Sequence, residues 1–301
     1  EHAFVTCKPP LPPQMSDPPS DAPQLIRHIH FDKADPSRTA GIELCRSLVV
    51  YEGHFQNAKR HGLGVSYWPN GNFEYEGEWA NNQRDGLGME YTSEGDLLYK
   101  GGWRCNRRHG LGKLFQASYD DGKLYLFYEG QFVDNEFHGT GILYHDDGSV
   151  AYEGEWACHM MHGKGTAYRT SQFVISYAGE FSWGERHGHG ELRWLATSRL
   201  TDEEVECRYT GEFEHGVRHG HGVLVRGSSY EDVMASYNQT GWVFEGDEYY
   251  KGMWKYDTRH GAGVYVRSNL HYEGTFENGV LHGEGRLLRD DTIYQGAFVR
   301  S

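Results

Sequence analysis

Basic side chains are scarce in this sequence: 29 Lys and Arg stand against 43 Asp and Glu, a formal net charge of −14 over 301 residues. A nucleic-acid-binding surface normally shows a basic stripe, and so does a protein held electrostatically on an anionic bilayer. Neither stripe is visible, so no nucleic-acid partner is expected and the acidic balance counts against a lipid surface. Cysteine is sparse as well. Cys7, Cys45, Cys105, Cys158 and Cys207 are odd in number, far apart and contain no C-x-x-C pair. That pattern points to free thiols in a reducing, cytoplasmic compartment and away from a disulfide or zinc framework. No apolar run approaches the ~18 residues of a membrane-spanning helix, and no signal-peptide pattern opens the chain. The first residue is Glu1 and not Met, so a preceding segment is expected.

Signatures of common chemistry are missing too. There is no G-x-x-x-x-G-K-[ST] loop, since Gly163-Lys164 is followed by Gly165, and there is no G-x-G-x-x-G, G-x-S-x-G or H-E-x-x-H. Phosphate cradles, dinucleotide sites, nucleophile elbows and zincin sites are thereby excluded in their usual forms. No catalytic residue, cofactor or metal site is expected, and the chain reads as a non-enzyme. Asn238-Gln239-Thr240 fits a glycosylation sequon, but a reducing compartment leaves it unused.

Glycine and aromatic residues are what the sequence has in excess: 40 Gly, and 14% Phe, Trp and Tyr. Both follow a repeat. A Tyr-x-Gly-x-(Phe/Trp) pentad starts at Tyr51, Tyr75, Tyr99, Tyr128, Tyr152, Tyr177, Tyr209, Tyr250, Tyr272 and Tyr294. Ten residues after each of the first nine comes His-Gly-x-Gly, with Asp85 in place of His in the second. The offset never varies, whereas the spacing from Tyr to Tyr runs from 22 to 41 residues. Each unit is therefore a rigid motif followed by a connector that absorbs insertions, as loops do better than ladders. The longest insertions, 191–208 and 223–249, are candidate functional elaborations.

Period-two alternation places Tyr75, Gly77 and Trp79 on one face of a strand and Glu76 and Glu78 on the other. In His61-Gly62-Leu63-Gly64-Val65-Ser66-Tyr67 it places both glycines on one face and His61, Leu63, Val65 and Tyr67 on the opposite one. Five residues such as Gln56–Arg60 remain for a hairpin loop, and Pro69-Asn70-Gly71 and Asp146-Asp147-Gly148 signal turns into the next unit. The pentads and His-Gly-x-Gly motifs use 28 of the 40 glycines. Glycine in a strand interior marks close approach of another group, so rings from neighbouring strands are expected to lie over these positions. Burying one ring is worth roughly 4–6 kcal/mol of transfer energy, against about 1 kcal/mol for the glycine. A single sheet could then hold itself together without a second layer.

The Tyr-Glu-Gly-x-(Phe/Trp)…His-Gly-x-Gly unit resembles the MORN repeat (membrane occupation and recognition nexus) over residues 51–301. Departures are Asp85, the Lys100-Gly101-Gly102 and Ala178-Gly179 variants of Glu-Gly, and a last unit that has only its first strand. The resemblance implies an all-β fold: an elongated, single-layer, twisted antiparallel sheet of tandem β-hairpins with a concave groove, on the order of 100 Å long for ten units at ~4.8 Å per strand.

The domain reading is a Pro-rich extended arm over 1–40, with seven of nine prolines between Pro9 and Pro23, and a repeat domain over 41–301 whose residues 41–50 add a leading strand. The arm is either a disordered tail or a segment that orders along a partner. The recurring histidines and the Glu of Tyr-Glu-Gly follow the period of the fold, so a structural, hydrogen-bonding role is expected for them. Lys59-Arg60 and Arg107-Arg108 read as solvated turn residues.

Proteins with similar repeats occur in radial-spoke heads and other ciliary, flagellar and cytoskeletal assemblies, which implies a structural scaffold. Its partners would be proteins of a large assembly, with a helix or extended segment in the groove. The row Tyr67, Tyr91, Phe115, Tyr144 and Tyr168, three residues past the second Gly, is the candidate lining, with ordinary sheet packing as the competing role. The alternatives are peripheral phospholipid binding or membrane tethering, and service as the regulatory arm of an enzyme such as a lysine methyltransferase or phosphoinositide kinase. The strand edge after Tyr294–Phe298 invites self-association.

Overall fold

Left-handed two-residue turns set the architecture of the protein, whose computed structural model describes residues 27–31, 39–168, 176–197, 204–227, 230–243 and 246–299. Asn57-Ala58, Asn81-Asn82, Cys105-Asn106 and Asp134-Asn135 all have positive φ at both positions. This is the turn whose twist matches that of the flanking strands. The loops are thus tighter than the five residues read from the sequence, because Gln56, Lys59 and Arg60 belong to the strands. Few of these turns carry the Asn-Gly or Asp-Gly signature, which is why their length was not legible.

The chain divides into two compact units, residues 1–141 and 142–301. The first holds β1 (Arg27–Phe31), β2 (Ala40–Cys45), β3 (Leu48–Gln56), β4 (Lys59–Tyr67), β5 (Phe73–Ala80), β6 (Gln83–Tyr91), β7 (Leu97–Arg104), β8 (Arg107–Ala117), β9 (Leu124–Val133) and most of β10 (Glu136–Tyr144). From β1 to β9 each strand pairs antiparallel with the next in the chain. The second unit holds β11 (Val150–Ala157), β12 (Met160–Tyr168), β13 (Ser176–Ser182), β14 (Glu185–Thr197), β15 (Glu204–Glu214) and β16 (Val217–Gly227). After helix α1 (Tyr230–Thr240) come β17 (Glu248–Lys255), β18 (Thr258–Arg267), β19 (Leu270–Glu277), β20 (Val280–Arg289) and β21 (Thr292–Phe298), again paired in chain order. The fold is all-β, an antiparallel sheet of consecutive hairpins.

The sheet begins before the first pentad: β1 pairs with β2 in the register Arg27↔Cys45 to Phe31↔Gly41. The proline-rich stretch 1–26 lies outside the described residues. The insertion at 191–208 lengthens one hairpin, pairing Glu191↔Thr210 through Thr197↔Glu204. The insertion at 223–249 extends β16 and then supplies α1.

One core runs through each unit. Register aligns the motif glycines across the strands, Gly41↔Gly53↔Gly64↔Gly77↔Gly88↔Gly101↔Gly112↔Gly130 in the first unit. The pentad tyrosines lie over this row. A methyl group on Gly64 would meet Oη and Cζ of Tyr51, and one on Gly88 those of Tyr75. The covering ring comes from the neighbouring strand of the same hairpin, as expected from the sequence. Each ring ends in a hydrogen bond: Tyr51 Oη donates to the His54 carbonyl at 2.9 Å, and all ten pentad tyrosines repeat this bond three residues on. Between tyrosines stand the second pentad aromatics. Trp79 packs edge-on to Tyr51 at 5.3 Å and Tyr75 at 5.1 Å, and Trp103 does the same with Tyr75 and Tyr99. The second unit continues the pattern from Tyr152 to Phe298.

The two glycines of His-Gly-x-Gly do not share a face. A register shift follows Gly53, and Gly62 sits at φ +67° within a bulge that gives β4 two residues more than β3. Glycine is favoured there because a side chain in that region clashes with its own backbone. A methyl on Gly62 would point at His54, on the face opposite Tyr51.

Candidate interaction surface

The bulge decides which residues reach the core face. It brings Arg60 opposite Phe55, and the guanidinium lies 4.7 Å over Tyr51 and 5.1 Å over Trp79 while pairing with Glu43 at 2.9 Å. Arg84 stacks on Tyr75 and Trp103 and bridges Glu74 and Glu90, each at 2.8 Å. Arg108, Arg186, Arg218 and Arg259 take the equivalent place over later rings. These arginines are lids on the aromatic core, not the solvated turn residues expected from sequence. Lys59 and Arg107, their neighbours, are the exposed members of each pair. The repeat itself shows what the position requires, because Phe137 stands there in the fourth unit and stacks flat on Tyr128, centroids 3.8 Å apart at 5°. A planar group over the ring is the shared property, and charge is secondary.

The motif His position faces the neighbouring turn, and Nδ1 of His61, His109, His162, His219, His260 and His282 is buried there without a hydrogen-bond partner. Asp85, the substitute, accepts a hydrogen bond from the Cys105 amide at 3.0 Å, tying one repeat to the next turn. In the same relative place His162 packs 5.3 Å from Trp183, and His219 5.6 Å from Tyr256. The turns also bond backwards: Asn82 Oδ1 accepts from Arg60 N and Asn82 N donates to the Arg60 carbonyl, and Asn106 and Asn135 repeat both bonds. The second pentad glutamate has a comparable use. Glu78 Oε1 accepts from the Leu87 amide at 2.9 Å, and Glu155, Glu180 and Glu212 do likewise on the following strand. Among the described residues no group of three His, Cys, Asp or Glu is placed to hold a metal ion. No helix is long and apolar enough to cross a membrane.

Opposite the core lies the open face. In the first unit it carries a row of leucines, Leu63, Leu87 and Leu111, exposed by 62%, 67% and 70%. Beside the row, Leu63, Val65, Leu87 and Met89 line a shallow hollow of about 500 Å³ floored by the glycine row, with Glu76 and Lys100 at its side. Tyr67 and Tyr91 stand on this same face. Phe73 joins them, its ring 5.6 Å from Tyr67 and 6.1 Å from Tyr91. Tyr67 Oη donates to Glu52 at 3.3 Å and Tyr91 Oη to Glu76 at 3.5 Å. Burial, and then the adjacent carboxylate, raise both phenol pKa values. Phe115 belongs to the first unit in β8, whereas Tyr144 and Tyr168 belong to the second. The sequence reading passed over the leucines. Their signal was the repeat position two residues past the His, occupied by Leu in the first three units and by Lys164, His189, His221 and Glu284 later.

Strand order, glycine row and tyrosine ladder together define a tandem β-hairpin repeat protein whose polar motif residues hold repeat to repeat. The family model of the MORN repeat matches nine segments, residues 51–73, 75–97, 99–120, 128–150, 152–171, 177–194, 209–228, 250–270 and 272–291. The chain belongs to the MORN-repeat family. Such repeats point to a protein-interaction or membrane-binding module.

Proposed function

We propose that this chain is a non-catalytic scaffold and protein–protein interaction module of a cytoskeletal assembly, with a ciliary or flagellar axoneme of radial-spoke type as its setting. The observation that carries the reading is where the reactive side chains go. Tyr, Arg and Glu of the motif, and the Asp85 that replaces one His, are bound to neighbouring rings, turns and amides, and the open face of the first unit carries a row of exposed leucines. That surface offers shape and apolar area for association. The axonemal setting rests on the family resemblance alone. The net charge of −14 favours a protein partner over an anionic bilayer.

The test is affinity purification of the tagged chain from its native cells, with localisation of the tag. Retention in the detergent-insoluble cytoskeletal fraction, with axonemal proteins alongside, is the expected result. Recovery with membranes and release by detergent would replace this reading with phospholipid binding.

A further inference from the structure

In the second unit part of the open face is covered by a helix of this chain. This helix, α1, packs on Val223 and Val225 of β16, Tyr249 of β17 and Val264 and Val266 of β18, with Val233 fully buried and Tyr237 stacked on Tyr249 at 4.0 Å. Counted from their motif histidines, Val223 and Val264 hold the repeat position of Val65 and Met89, and Val225 and Val266 that of Tyr67 and Tyr91. Among the described residues no helix covers the same positions in the first unit, and the leucine row extends them.

Charge distinguishes the two places. α1 opens with Glu231 and Asp232, and Glu231 lies 3.9 Å from Arg208. The strand beneath carries Lys251 where the first two repeats carry Glu52 and Glu76, both exposed, and the third carries Lys100. The occupant complementary to the first two repeats is therefore basic over Glu52 and Glu76, where α1 is acidic. Spacing adds a second constraint. Successive leucines are two strands apart, about 9.6 Å, close to the ~10.5 Å between residues seven apart on a helix.

We infer that Leu63, Leu87 and Leu111, with Val65, Met89 and Tyr91 beside them, seat an amphipathic helix of a partner protein. The helix lies across the strands, drops apolar residues at heptad spacing beside the leucines, and turns Lys or Arg toward Glu52 and Glu76. This rests on the interaction-module reading and adds to it the place and the chemistry of the partner.

The probe is a pair of synthetic helices of about 18 residues with one Leu/Met face at heptad spacing, flanked by Lys in one and by Glu in the other. Binding to the full chain is read by fluorescence anisotropy. The Lys-flanked helix is expected to bind about tenfold or more tightly than the Glu-flanked one. Leu87→Asp and, separately, Leu63→Ser should weaken it by about tenfold or more, while Lys164→Ala, at the same repeat position in the second unit, should leave it unchanged. Circular dichroism melts confirm that each variant is folded. No binding by either helix, preference for the Glu flank, or unchanged affinity in folded Leu87→Asp would overturn the inference. So would Leu87-dependent binding of anionic vesicles in place of the helix. In cells the two levels separate: Leu87→Asp protein that still reaches the cytoskeletal fraction removes this site and leaves the scaffold reading, whereas wild-type protein that never reaches it removes the reading itself.

Discussion

Tyrosine over glycine is the contact on which the stability of each repeat turns. Adding a methyl at Gly64 drives it into the Tyr51 ring, and neither the ring, closed off by Trp79 and Arg60, nor the paired backbone can retreat. Gly64→Ala is therefore expected to cost about 2–3 kcal/mol in denaturant titrations followed by tryptophan fluorescence. Gly71 has φ +90° and open space around it, so Gly71→Ala should cost only the backbone strain, about 1 kcal/mol. The tyrosines also set an alkaline limit. Burial pushes the Tyr51 and Tyr177 phenols up to about 12 from 10.0, and raises those of Tyr75, Tyr99, Tyr128, Tyr152, Tyr209 and Tyr250 as well. A folded pKa above the unfolded one contributes stability that is complete below the unfolded value and is lost as pH rises through the folded value. Stability should hold to about pH 10 and fall steeply toward 12. Tyrosinate absorbance should appear together with loss of the far-ultraviolet strand signal, and a gradual tyrosinate rise with the strand signal intact would be inconsistent with buried rings.

At the level of the element, the hairpin was legible where one residue type is forced and illegible where several will do. The strand alternation, the glycines and the Asn70-Gly71 turn followed from sterics that admit few residues. The arginine lid did not, because Arg60 and Phe137 both fit above a tyrosine, and because a basic residue beside a turn ordinarily signals solvent exposure. Nor was α1: its sequence has a weak apolar stripe, and it forms because Val233 and Tyr237 meet the valines of β16 and β18. That dependence is testable. Val233→Asp places a charge in a fully buried site and is expected to cost about 3 kcal/mol or more, enough to undock α1. Hydrogen exchange should then show α1 amides losing protection while Gly222 and Gly252 keep theirs, and a hydrophobic dye should bind the uncovered Val225 and Tyr249. Loss of protection throughout the second unit would show instead that α1 is part of the repeat core.

For the molecule as a whole, the family and the all-β class were readable because the repeat offset is invariant, and the composition of the open face was only half readable. Tyr67 and Tyr91 were found by periodicity, while Leu63, Leu87 and Leu111 were missed because an apolar residue on a strand ordinarily signals burial, and only three dimensions show that these point away from the core. In the first unit the two faces differ: one is closed by rings and holds the repeats together, and the other, which we propose carries the partner, is open. A photo-crosslinking residue placed in living cells at Leu87, and in parallel at Lys164, tests this most directly. Crosslinks to one protein from Leu87, with little or none from Lys164, are the expected result. Equal crosslinking from both positions, or lipid adducts from Leu87, would contradict a partner site on the open face of the first three repeats.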